Sequence, residues 1–74
     1  MYFNMTMERR DGMTFSRRHG RMTNSFKTAC NNAMQRKGIV VNESGTIIAQ
    51  AHDPALPNYV GKLLYIGSGE DCFV

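Results

Sequence analysis

Long apolar runs, paired cysteines and scattered prolines are all missing from this 74-residue chain, and tryptophan is absent altogether. No stretch approaches the roughly 18 consecutive apolar residues of a membrane span. Met1 to Met7 alternates apolar with polar residues, unlike the core of a secretory signal peptide. A cytoplasmic protein with no membrane partner is therefore expected. The only cysteines, Cys30 and Cys72, lack the paired spacing of zinc or redox motifs, and two thiols do not make a disulfide scaffold. Cys30 reads as a small buried apolar residue. Both prolines, Pro54 and Pro57, fall within HDPALPNYVG, which marks that stretch as a loop because neither can donate to a ladder.

A chain this short forms one domain, residues 1–74, and buries only about 60% of its unfolded surface. That leaves little room for an enclosed active site. With 42% hydrophobic and 20% charged residues it is too apolar to stay disordered. A folded domain of modest stability is expected, one that a partner or a second copy, as in a homodimer, could complete.

Acidic residues are scarce in the first half. Residues 1–38 carry eight basic against two acidic side chains, net +6, whereas residues 39–74 carry one against four, net −3. Such asymmetry points to an anionic partner.

The hydrophobic pattern divides the chain into a basic hairpin or arm over 1–22, a helix over 23–37 and a β-rich half over 39–74. Phe3, Met5 and Met7 alternate with Asn4, Thr6 and Glu8, and Met13 and Phe15 resume the alternation after RRDG. A three-residue bulged turn with Gly12 left-handed would set Met7 opposite Phe15 and Met5 opposite Arg17. In TNSFKTACNNAMQRKG, Phe26, Ala29, Cys30, Ala33 and Met34 recur at helical spacing. Thr23, Asn24 or Ser25 supplies the N-cap, and Gly38 the stop.

GIVVNESGTIIAQA predicts a second hairpin, with Val41 opposite Ile47 and Ile39 opposite Ala49, and with these residues facing the helix. KLLYIG predicts another strand, and GSGED a turn before Cys72. The expected fold is α+β: a small antiparallel sheet of two hairpins plus a C-terminal strand or two, in ββαββ(β) order, with one amphipathic helix packed on one face.

SRRHGR, residues 16–21, is the densest charge cluster. Lying where the first hairpin runs into the helix, it is expected near the helix N-terminus, where backbone N–H groups also attract anions. Arginine offers bidentate geometry to phosphate. Tyr2, Phe15, Tyr59 and Tyr65 could add stacking surfaces for single-stranded nucleic acid. The candidate anion-binding residues are Arg9, Arg10, Arg17, Arg18, His19 and Arg21, supported by Lys27, Arg36 and Lys37. His19, beside three arginines, is discouraged from protonating and suits a contact role. The charge carries no sequence code: no aromatic RNA-binding motif, zinc spacing or helix-turn-helix is present.

Catalysis is not expected. His52 and Asp53, the base and orienting acid that could be imagined for Cys72, are adjacent and point to opposite sides of an extended segment. GSGED has neither the lysine nor the following helix of a phosphate loop, and Glu70 and Asp71 would repel phosphate. Two neighbouring acids also supply too few oxygens for a dedicated cation site. The chain reads as a small non-enzymatic binding protein without cofactor or metal, directed at nucleic acid. The alternative is a compact inhibitor or adaptor of the kind phages and mobile elements encode, set against an acidic or apolar surface of a partner protein. For that reading the methionines of the first hairpin and the apolar loop of Pro54, Leu56, Pro57 and Tyr59 would be the contact surface.

Overall fold

The computed structural model describes residues 1–64 and 71–73, with the side chains of Arg10, Met13, Thr14 and residues 71–73 outside the description. Among the described residues five strands, β1 (Tyr2–Arg10), β2 (Met13–Arg18), β3 (Ile39–Asn42), β4 (Ile47–Gln50) and β5 (Asp71–Phe73), form one antiparallel sheet with a single helix, α1 (Phe26–Arg36). The sheet order is β4-β3-β1-β2-β5, so the first strand in sequence is central in space. This is the expected α+β architecture, with the helix packed on one face.

The first hairpin turns on two residues. Asp11 and Gly12 both have positive φ, 53° and 76°, the requirement of a type I′ turn whose twist matches that of the flanking strands. The bulged turn expected from the sequence is therefore replaced, and the pairing moves by one residue: Met7 opposes Ser16, Met5 opposes Arg18, and Glu8 opposes Phe15. Because side chains alternate, that shift sends Phe15 to the other face from Met5 and Met7. These two methionines are 1% and 8% exposed, in the core and not on a contact surface as the sequence suggested.

In the second hairpin, Asn42 Oδ1 accepts from the N–H of Ser44 and of Thr46, both at 3.0 Å, and Gly45 takes φ 86°. Val41 pairs with Ile47 as expected. A bulge between Val40 and Val41 sets Ile39 opposite Gln50, not Ala49. Of the residues expected against the helix, Ala49 is found there, whereas the three bulkier ones face away. Ile39, Val41 and Ile47 join Met5, Met7, Tyr59 and Leu64 on the face away from the helix, while Val40 packs beneath Ala29 and Ala33 with Ile48 and Ala49 at the margin. Two alanines let the helix approach closely, and the bulkier side chains find cover elsewhere.

That cover is the loop after β4. The side chain of Gln50 clamps it, Nε2 donating to the Pro57 carbonyl (2.8 Å) and Oε1 accepting from the Tyr59 N–H (2.6 Å). Tyr59, 3% exposed, is thereby seated in the core. Residues 61–64 then run along the outer edge of β4, where Leu64 N–H donates to the Gly45 carbonyl (2.7 Å) and Ile47 N–H to the Lys62 carbonyl (2.9 Å). Of the strand expected in KLLYIG, only an isolated bridge between Thr46 and Leu63 is seen. Residues 65–67 of that stretch and GSGE of the expected turn lie outside the described residues.

Ser25 caps α1, its Oγ accepting from the Thr28 N–H at 3.1 Å. At the other end Lys37, at φ 53°, takes the left-handed position expected of Gly38, and the N–H groups of Lys37 and Gly38 both reach the Ala33 carbonyl. Gly38 serves a different need, because it passes directly over the Met5 carbonyl of β1. The apolar stripe of α1 is narrower than its spacing suggested: Ala29 and Ala33 are buried, Cys30 is half-buried and a free thiol, and Phe26 and Met34 are exposed. Among the described residues no helix is long and apolar enough to cross a membrane.

Candidate nucleic-acid interface

Strand alternation divides the arginine cluster. Arg17 opposes Thr6 on the helix side of the sheet, and Arg18 opposes Met5 on the other. Arg18 lies over the Phe3 ring, its guanidinium carbon 4.4 Å from the centroid, with its Nε buried and without an acceptor. It therefore belongs as much to the packing of the loop-covered face as to any external surface. Arg9 is exposed near the hairpin tip; Arg10 ends β1 there, its side chain outside the description.

His19 continues the line of β2, its N–H donating to the Asn4 carbonyl at 3.0 Å. Alternation puts its ring on the helix side, close to Gly38 and Arg36. The Nε2 is buried and has no hydrogen-bond partner. Burial and, second to it, the Arg36 charge hold the imidazole below its ordinary value of 6.5. The expected reluctance to protonate is present, but its causes are burial and Arg36, near in space though 17 positions away in the chain, and not the neighbouring arginines.

Past the turn at Gly20 (φ 69°), Arg21 is exposed, and the connector rejoins β1 where Thr23 and Tyr2 exchange backbone hydrogen bonds of 2.7 and 3.0 Å. The helix starts there, with the Phe26 ring 5.4 Å from that of Tyr2. It then runs back along β1 and ends beside His19. The SRRHGR segment thus begins at the C-terminal end of α1, and the expected helix N-terminus is at the far end, where Lys27 is exposed and Ser25 already occupies the first-turn donor. Sequence adjacency misled here because residues 19–25 carry the chain from beside Asn4 to the start of β1 at Tyr2 before the helix begins.

The structure therefore brings His19 to the side of Arg36, 17 positions later in the chain, with Lys37 capping the same helix end and Arg17 two residues before His19 on the same face; Arg9, Arg18 and Lys27 lie apart from them. The helix lies over β1, β3 and β4 and does not reach β2, so among the described residues the helix does not cover that side of β2 beside this group. Phe15, half-buried, and Glu8, exposed, share that face; Glu8, Phe15 and Arg17 also make contacts within the chain. Asp71 opposes Arg17 in backbone register. Asn4, 2% exposed, holds the helix to the sheet through Nδ2 and the Ala29 carbonyl (2.8 Å), leaving its Oδ1 buried and unpaired.

A pH dependence of stability follows from His19. Because its folded-state pKa is lowered, the unfolded chain binds more protons, and stability falls as pH drops from about 6.5 through the lowered folded value. The urea midpoint is expected to be lower at pH 5.0 than at pH 7.5, and a His19→Gln variant should lose part of that difference. An equal fall in both proteins would remove His19 as the cause.

The rest of the polar surface is less organised. His52 and Asp53 line a cleft of about 280 Å³ with Gln50, Pro54, Leu56 and Asn58. Asp53 Oδ1 is occupied by the Ala55 N–H at 3.0 Å, as in an ordinary turn. The Cys72 side chain, the nucleophile weighed from sequence, is outside the description. Among the described residues no three His, Cys, Asp or Glu side chains gather as metal ligands. No protein-family model matches the chain, and no curated protein or solved structure matches it either.

Proposed function

We propose that this chain is a small non-enzymatic binding protein, cytoplasmic and without cofactor, that holds single-stranded nucleic acid on the helix side of β2. One observation carries the reading: the fold returns Arg36, at the end of α1, to the side of His19, next to a strand that the helix does not cover and that carries Arg17 on the same face. Phosphates would lie along the cations at the end of α1 and bases against that face of β2, where Phe15 supplies an aromatic surface. Arg21, exposed in the connector, extends the same basic character.

The test is the salt dependence of binding to a labelled oligothymidylate. Three phosphate contacts give a slope of about −2 in log affinity per log unit of salt on a single strand. The triple variant Arg17→Ala, Arg36→Ala, Lys37→Ala is expected to lose most of that slope and at least about tenfold in affinity, whereas Arg9→Ala with Lys27→Ala loses little. Equal losses in the two variants would mean undirected attraction to a basic chain and would end the proposal.

A second reading, an inhibitor or adaptor directed at a partner protein, draws on the exposed Met34 (70%) and Leu63 (73%), and on the apolar groove that Cys30, Ala33, Met34, Ala49 and Ala51 form between α1 and β4. It predicts that Met34→Glu abolishes partner capture and leaves oligonucleotide binding intact.

A further inference from the structure

His19 occupies the point where a bound phosphate and a proton would meet. From α1 it faces Arg36, with Lys37 at the helix cap; from its own strand Arg17 shares its face; and Arg21 follows in the connector. From β1 its neighbours are Asn4 and Thr6, which do not titrate, and the nearest carboxylate on that strand is Glu8, further toward the hairpin tip. Gly38, leading into β3, presents no side chain, and the imidazole packs beside it, its Nε2 3.7 Å from where a Cβ would stand. Among the described residues the surroundings are thus cationic, opposed by the negative end of the helix dipole, with Asp71 opposite Arg17 in the backbone register of β5.

We propose that phosphate binding at this surface takes up a proton at His19, so that the grip on a polyanion tightens in mild acid. The inference rests on the reading above that nucleic-acid phosphates lie at the end of α1. A phosphate neutralising Arg36 removes the charge that opposes imidazolium and sets a counter-charge beside a ring whose buried Nε2 has no partner within the protein. By linkage the effect is reciprocal: if phosphate raises the proton affinity of His19, protonation raises the affinity for phosphate by the same factor. A single proton limits the gain to about tenfold per pH unit.

Oligothymidylate is the probe, because thymine does not itself titrate in mild acid. Its affinity is expected to rise at least about fivefold from pH 7.5 to pH 5.5 in the native chain and in His52→Gln, whose site is an exposed loop. In His19→Gln the chain should still bind with a nearly flat pH profile. Imidazole NMR signals give a second readout that needs no variant: saturation with the oligonucleotide should move the His19 titration to higher pH. An unmoved His19 titration, or the same pH profile in His19→Gln as in the native chain, overturns the proposal while leaving the nucleic-acid reading in place. Absence of binding at every pH overturns both.

Discussion

Replacing Gly38 by alanine is expected to remove a large share of the fold's stability. The added methyl would overlap the Met5 carbonyl oxygen and lie 3.3 Å from its carbon. Neither side can yield easily. Met5 is paired with Ile39 on one flank and Arg18 on the other, and Gly38 is held by its own hydrogen bonds, its N–H donating to Ala33 and its carbonyl accepting from Ala51. Overpacking against backbone belongs at the upper end of its class, about 3 kcal/mol or more. A domain of this size has only about 4 to 11 kcal/mol to lose. Circular dichroism in urea should show the midpoint collapse, with a thermal transition lowered by more than about 10 °C. A variant within a few degrees of the native chain would mean that helix and sheet sit further apart than described.

Ile47→Ala should cost nearly as much for a different reason. The side chain is fully buried on the loop-covered face, beside Val41, Tyr59 and Leu64. Truncating it removes apolar contacts and opens a cavity, together about 3 kcal/mol. The backbone of the same residue binds the covering loop on both sides, to Lys62 and Gly61. Loosening at Ile47 should therefore expose Tyr59, and its fluorescence and solvent accessibility would report the change at urea concentrations too low to unfold the sheet. Leu63→Ala, 73% exposed on the adjacent segment, provides the contrast and should lie within about 0.5 kcal/mol of native. Similar costs for the two would show that burial does not decide stability on this face.

The order of elements was readable from the chain because each carries its own period: alternation in Phe3, Met5 and Met7, helical spacing in Ala29 and Ala33, turn chemistry in Asn42 and Gly45. Register was harder. A hairpin loop of two residues and one of three both accommodate Asp-Gly, and the choice decides which face receives Phe15. The two faces of β3 could not be assigned either, since Ile39, Val40 and Val41 are all buried and nothing local says which of them meets the helix.

For the candidate site, the presence of a basic half was plain, but its geometry depends on long-range facts. Arg17 and Arg18 part company by alternation once their strand is accepted. The meeting of His19 with Arg36 depends on the helix running back along β1, and no residue near either one encodes that. The buried Nε2 of His19 and the position of Gly38 over Met5 are properties of the packed chain alone.

The central place of β1 has a genetic reading. Its odd residues Phe3, Met5 and Met7 supply the loop-covered core, its even residues Tyr2 and Asn4 supply the helix contact, and both of its edges are paired. Loss of a single codon between Tyr2 and Met7 would exchange these two sets at once, presenting Asn4 to the apolar core and a methionine to the alanines of α1. Insertions and deletions of one residue are thus tolerable in the connector or in the loop after Gln50, whereas in β1 such a change would rewrite the protein's interior on both sides.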